Sequence, residues 1–319
     1  PARPRANGVE ARSGQAPLAR PTAQSYTHYE DEQVDTAEGG PMHKWTIGCF
    51  LLAFAALSVA PMAHANEVRD SNATIDGGEF GLVYKCGFGP RNTVVLDGDL
   101  TDLAWGAAPW HFVDHKTGTA PAPNDDNASL QFAAVADDEW LYIAIDVTDD
   151  EIQNTEDPAA DVWKDDSVEI YIDADDGGTD VYDTAKGKWD TQISIGAENF
   201  GGDVDAPSLG GSGDGAGVGT RAAVVETATG YIVEAAVPLD SPDKWDFALE
   251  DGMVIGFNIH MNDDDDGGER DNKLIWSAND VDDQSWQNPS RFADLEFVSA
   301  FLAVDPAEKV ATTWAALKR

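Results

Sequence analysis

The chain has 319 residues, with 20 Lys and Arg against 59 Asp and Glu and a formal net charge of -39. A molecule this acidic repels phosphate backbones and anionic lipid, which excludes nucleic acid and acidic membrane surfaces as partners. The acidic residues lie in short Asp-rich runs between apolar segments, so they belong to a folded domain and not to a disordered acidic tail. Such a surface suits a saline habitat or loops that hold Ca²⁺, and the two are compatible.

Residues 1–41 show neither apolar periodicity nor a core and are read as an upstream translated or disordered segment. Met42-His43-Lys44, the apolar run from Trp45 to Ala60, and Pro61-Met62-Ala63-His64-Ala65 follow. These are the basic start, hydrophobic centre and A-x-A site of a secretory signal, predicting cleavage after Ala65 and a secreted or periplasmic protein. The run falls short of the roughly 20 residues of a membrane span, so no membrane association is expected after cleavage. Cys49 lies in this leader and leaves Cys86 alone, unable to form an internal disulfide. Residues 66–91 are rich in Gly and polar groups and read as a linker or leading arm.

From residue 92 onward the pattern is all-β. Alternating or apolar strands are predicted at 93–96, 129–136, 140–148, 166–173, 191–196, 220–226, 231–238, 253–262, 273–277 and 294–298, with Gly, Asp and Pro at the junctions. About ten strands with little helical signal predict a β-sandwich of two antiparallel sheets over 92–298. The Gly/Ser/Asp-rich stretch 201–219 predicts a mobile loop. Val310, Trp314 and Leu317 have helical spacing, so 299–319 reads as a tail with a short helix.

The stretch Asp161-Val162-Trp163-Lys164-Asp165-Asp166-Ser167-Val168-Glu169-Ile170-Tyr171-Ile172-Asp173 carries the most chemistry. Val168, Ile170 and Ile172 point to a core, which turns Ser167, Glu169, Tyr171 and Asp173 outward. A loop tryptophan beside outward carboxylates and a tyrosine suits a sugar, because the indole stacks on a pyranose face and the carboxylates accept from hydroxyls. Trp286, in Gln284-Ser285-Trp286-Gln287-Asn288-Pro289-Ser290-Arg291-Phe292, offers a second platform. Trp105, Trp140 and Trp276 read as structural, and Trp189 as a bystander that could extend the platform. Asn262, Asp264 and Asp266 followed by Gly267 resemble the start of an EF-hand loop, although its twelfth position is Lys273. Asp173 and Asp175 form a second acidic turn. Asp264, Asp266, Asp173 and Asp175 are therefore the candidate ligands of a structural Ca²⁺, and no organic cofactor is expected.

In order along the chain, Val95-Leu96-Asp97-Gly98, Asp138-Glu139-Trp140-Leu141-Tyr142-Ile143, Trp163-Lys164-Asp165-Asp166-Ser167-Val168-Glu169-Ile170, Gly230-Tyr231-Ile232-Val233-Glu234, Gly256-Phe257-Asn258-Ile259, Ile275-Trp276-Ser277 and Trp286…Asn288-Pro289 resemble family 9 carbohydrate-binding modules. That resemblance implies a non-catalytic β-sandwich that binds cellulose, xylan or short sugars, often at reducing chain ends. It implies a clamp formed by Trp163 and Trp286, with Glu169 bonding sugar hydroxyls. The family's Arg, Gln and Asn contacts fall on Ser194, His260 and Asp283, with Gln192 on the same strand face as Ser194. The expected ligand is a polysaccharide or oligosaccharide, bound by a monomer. Two alternatives accompany this reading. Related sandwiches carry b-type haem, yet His260 and Met261 are strand neighbours that point to opposite faces and cannot share one iron. The chain could also be the accessory part of a glycoside hydrolase system, but nothing among its many acids selects a catalytic carboxylate pair.

Overall fold

Period-two alternation of Val, Ile, Leu and Phe builds the elements of this domain. The computed structural model describes residues 83–90, 92, 94–156 and 161–299. The predicted upstream segment, the signal 42–65, most of the arm 66–91 and the tail beyond 299 lie outside the described residues. Among the described residues fourteen strands run in chain order: β1 Val83–Phe88, β2 His111–Val113, β3 Gly118–Ala120, β4 Ala128–Ala136, β5 Trp140–Asp149, β6 Ser167–Asp173, β7 Asp190–Gly196, β8 Arg221–Glu226, β9 Gly230–Pro238, β10 Asp240–Ser241, β11 Trp245–Asp246, β12 Val254–Asp263, β13 Asn272–Ile275 and β14 Ala293–Val298. Among the described residues the only helical pieces are three short 3-10 turns, and no helix is long and apolar enough to cross a membrane.

The architecture is the expected β-sandwich. In one layer β12 pairs with β6 along one edge and with β14 and then β13 along the other, and β7 extends beyond β6. The second layer is β4-β5-β9-β8, with β2 against β4. β1 stitches the layers together, lying parallel to β14 and, at Gly87 and Phe88, to β4. Val168, Ile170, Ile172, Ile193, Ile195, Phe257, Ile259 and Met261 face Leu130, Phe132, Leu141, Ile143 and Val147 across one buried core. Each such side chain contributes about 1.5–3 kcal/mol by leaving water. The smaller outer core holds Trp105, whose Nε1 donates to Glu234 at 2.8 Å. Trp105 and fully buried Trp276 are structural, as expected.

Three expectations are corrected. The end of the predicted arm is strand β1, with Tyr84 and Cys86 fully buried. Ala134 N donates to the Tyr84 hydroxyl at 2.6 Å, and that hydroxyl donates to Pro109 O at 2.8 Å. Residues 94–96 form no strand. The 201–219 loop is tied down: Ser194 and Gly210 exchange backbone hydrogen bonds of 3.1 Å, and Gln192 N donates to Ser212 O at 2.9 Å. Leu209 and Val218 of this loop are buried.

Candidate functional site

The outer face of the β7-β6-β12-β13 layer is polar but not exposed, contrary to the alternation rule. Ser167, Glu169 and Tyr171 of β6, Gln192 and Ser194 of β7, Asn258, His260 and Asn262 of β12, and Lys273 of β13 are all buried. The loops that connect these strands cover the face and leave a pocket of about 570 Å³, within the size range of small-molecule sites. Val162, Trp163, Glu169, Tyr171, Gln192, Ser194, Gly211, Ser212, Arg270, Asp283 and Trp286 line it. Trp163 and Trp286 are 37% and 46% exposed, so two large apolar rings are left facing water beside it.

Five of the six predicted ligand-binding residues thus meet in one place. His260 does not line the pocket. It is fully buried, with its ring centre 4.5 Å from that of Tyr171, and its nitrogens lie 3.4 Å from Glu169 and 3.4 Å from Asp280. It touches two lining residues from behind, Glu169 and Asp283, the latter at 4.0 Å. Met261 sits in the apolar core on the other face of β12, as strand geometry requires.

Glu169 is the hub of that floor. Its carboxylate accepts from Tyr171 and Lys273 at 2.5 Å and from Asn262 at 3.1 Å. Burial alone would raise its pKa, but Lys273 and His260 outweigh burial and hold it well below the usual carboxylate range. Burial lowers the Lys273 ammonium from its ordinary value while Glu169 opposes that shift. Burial and the Glu169 charge push the Tyr171 hydroxyl well up, so it remains a donor.

Sequence reasoning missed Arg270 and gave Lys273 no role beyond breaking a calcium-loop pattern. Arg270 donates to Asn262 at 2.9 Å, pairs with Asp283, and places its guanidinium carbon 5.4 Å from the Trp163 ring centre. The pocket therefore contains an arginine, supplied by the loop before β13 and not by β7. The available signal was the scarcity of basic residues in so acidic a chain. Trp189 is no platform, because its Nε1 donates to Gly213 O at 2.8 Å and Lys244 covers its ring at 4.3 Å.

The glycine-rich loop forms one wall through backbone. Gly211 has φ +112°, and a Cβ there would stand 2.0 Å from Gln192 O. Gly211→Ala is expected to lift the loop from β7 and cost about 1–3 kcal/mol, measured by urea unfolding. An unchanged unfolding midpoint would show that the wall yields without strain.

Of the predicted metal ligands, Asp173 accepts from the amides of Asp175, Gly177 and Gly178, and Asp175 pairs with Lys188 at 2.8 Å. Asp264 lies with Asp266 and Asp271, its Oδ1 accepts from Asp266, Gly267 and Gly268, and its Oδ2 has no partner among the described residues. A second trio is buried throughout, whereas Asp266 and Asp271 are exposed. Carboxylate oxygens of Asp149, Asp166 and Asp263 lie within 4.8 Å of one another, and all three residues are buried. Among the described residues, Asp149 Oδ2 and Asp263 Oδ1 have no hydrogen-bond partner. Burial, reinforced by neighbouring carboxylates, raises Asp149 to about 6, Asp263 to about 7 and Asp166 to about 10. Full ionisation would set unit charges against one another at about 3 kcal/mol per pair at an effective dielectric constant near 20, so the set holds protons, on Asp166 above all. An oxygen-seeking divalent ion neutralises such a set and fills the vacant acceptor positions.

Comparison with known proteins bears on this pocket. The family described as "Carbohydrate family 9 binding domain-like" matches residues 96–300. The chain belongs to that family. The family 9 match spans every residue placed around the pocket and makes this a carbohydrate-binding domain, a binding module and not a catalytic one. The exoglucanase XynX of Acetivibrio thermocellus is 29% identical over 203 residues, 64% of this chain and 16% of that protein. Endo-1,4-beta-xylanase A of Thermotoga neapolitana is 30% identical over 209 residues, 65% of this chain and 17% of that protein. The chain thus spans about a sixth of the length of these relatives. A family 9 module from Caldicellulosiruptor kristjanssonii, solved with cellotriose, superposes with a TM-score of 0.52 at 21% identity over 70% of this chain and 98% of that one. That likeness confirms the family 9 fold.

Proposed function

We propose that this domain is exported and holds β-linked glucose or xylose chains, or their oligomers, between Trp163 and Trp286 without cleaving them. The carrying observation is a pair of half-exposed indoles on one pocket whose buried floor is already hydrogen-bonded. The rings supply apolar area at low entropic cost. Glu169, Gln192, Arg270 and Asp283 offer donors and acceptors to hydroxyls, held in place by Lys273, Asn262 and Tyr171. Cellotriose in the Caldicellulosiruptor module and the xylanase and exoglucanase names of the relatives support this sugar class. The signal-like stretch 42–65 supports export, where the domain would keep polysaccharide close to degrading enzymes.

Affinity electrophoresis in gels containing xylan or soluble cellulose derivatives tests the reading. Retardation on at least one is expected; free migration on every glycan overturns it. Reducing sugar released by the purified protein would overturn the non-catalytic part.

A structural Ca²⁺ at Asp149, Asp166 and Asp263 belongs to the same proposal. At a hundredfold excess over its dissociation constant, an ion bound only by the native state adds about 2.7 kcal/mol, a rise in Tm of roughly 5–10 °C for a domain of this size. Calorimetric melting should show the rise with CaCl₂ and its reversal with chelator. An equal rise with NaCl at matched ionic strength would mean charge screening instead.

A further inference from the structure

We propose that a cation at Asp149, Asp166 and Asp263 does more than stabilise the fold: it sets the sugar pocket, so that sugar affinity depends on the ion. This inference rests on the sugar-binding reading and on the cation reading above.

The placement of the three carboxylates carries it. Asp149 is the last residue of β5, and Asp166 immediately precedes β6, so the two bracket the 150–166 segment that bears Trp163. Asp263 is the last residue of β12 and opens the 264–271 segment that bears Arg270. Asn272, the first residue of β13, closes the remaining end by donating to Asp263 Oδ2 at 2.6 Å. All four ends of the two segments therefore converge on one cluster. Farther out the segments meet again. Arg270 lies over the Trp163 ring, and Lys164 pairs with Glu269 at 3.2 Å. Asn127 Nδ2 donates to Asp150 at 2.9 Å and to Asp265 at 3.1 Å, joining them a third time.

The ligand is indicated by more than the acidity of the cluster. The Tyr231 hydroxyl is fully buried, has no hydrogen-bond partner among the described residues, and interacts electrostatically with Asp166, Asp149 and Asp263. With the partnerless Asp149 Oδ2 and Asp263 Oδ1, it leaves three buried oxygens in one neighbourhood. Oxygen donors alone select a hard divalent ion, and carboxylates from three separate positions suit the irregular coordination of Ca²⁺ better than the smaller, strictly octahedral Mg²⁺. Without the ion the three carboxylates share no common ligand, and the roots of both segments are held less firmly. With it, Trp163 and Arg270 are held in register above Glu169. Adjacent Asn262 transmits the effect directly, because it accepts from both Arg270 and Lys273. Coupling of this kind is reciprocal, so sugar must also tighten the ion.

Amide hydrogen exchange on the whole protein in CaCl₂, MgCl₂ or EDTA reads the ordering directly. Ca²⁺ is expected to slow exchange in 150–166 and 264–271 while β7 stays unchanged. Titration with cellotriose and xylotriose, followed by tryptophan fluorescence, should show affinity falling about tenfold in EDTA. Asp263→Asn should blunt both responses; should that variant fail to fold, chelation of the wild type still gives the readout. Equal exchange with and without Ca²⁺ overturns the proposal. So does an unchanged sugar affinity when calorimetry shows Ca²⁺ bound, which would make the ion structural only. Failure to bind any sugar in either condition defeats the sugar-binding reading and the coupling, and the exchange arm then decides separately whether the ion orders the two segments.

Discussion

Trp163→Ala and Trp286→Ala are each expected to abolish retention on xylan or cellulose while leaving the melting temperature nearly unchanged. Both rings line the pocket and keep a large exposed fraction, 37% and 46%, so their removal opens no cavity in the core. Surface changes of this kind usually move stability by no more than about 0.5 kcal/mol. A stacked tryptophan that anchors a ligand contributes about 2–4 kcal/mol, which is a loss of roughly 30-fold or more in affinity. Glu169→Gln keeps the shape of the floor but strands the buried Lys273 ammonium, so it should lower the melting temperature while weakening retention less than either tryptophan loss. Affinity gels and thermal melting on the same samples separate the outcomes. Wild-type retention by both variants would show that the binding face lies elsewhere, and unfolding of both would make the rings part of the fold's support.

The largest stability effect is expected from Lys273→Met. Lys273 and Glu169 are both 1% exposed and pair at 2.5 Å, so the substitution strands a carboxylate in the interior. Breaking such a pair costs about 3–5 kcal/mol, a large share of the roughly 5–15 kcal/mol that holds a domain together. Thermal unfolding should show a fall of about 10 °C. The double variant Glu169→Gln with Lys273→Met removes both charges and is expected to recover most of the loss. A single variant as stable as wild type would mean that Tyr171, Asn262 and His260 suffice for Glu169. The pH dependence follows from the depressed Glu169 value. Its contribution is fully present above the ordinary glutamate pKa of about 4.3 and is lost as pH falls through the lower folded value. Glu169→Gln should lack that acid-side loss.

These two predictions draw on different kinds of information. Trp163, Trp286, Glu169, Gln192 and Asp283 were legible as pocket residues because loop tryptophans beside polar strand positions, in a recognisable order, mark a face. The strands from β4 to β9, and β12 to β14, start and stop within about two residues of their predicted bounds, because alternation and turn residues are local signals. β1 was not legible. Its pairing is parallel, with β14 from the far end of the domain, and Lys85 and Gly87 interrupt the apolar run Val83, Tyr84, Cys86 and Phe88 in a segment of six residues. His260 was placed one layer too far out for a related reason. Alternation says which face a side chain takes, and cannot say that loops will bury that face.

By itself, the sequence determined the class of fold, the apolar side of each main strand, the acidic surface and the two exposed tryptophans. Each of these depends on periods of two or on residue chemistry within a few positions. Only the tertiary structure decided what the polar side does. Lys273 reaches Glu169 across 104 residues of chain, Arg270 comes to lie over Trp163 from a different loop, and Asp149, Asp166 and Asp263 converge from three strand ends. Burial then turns those meetings into chemistry, because a charge withdrawn from water must find a counter-charge, a proton or an ion, and which of these it finds depends on neighbours far away in the chain.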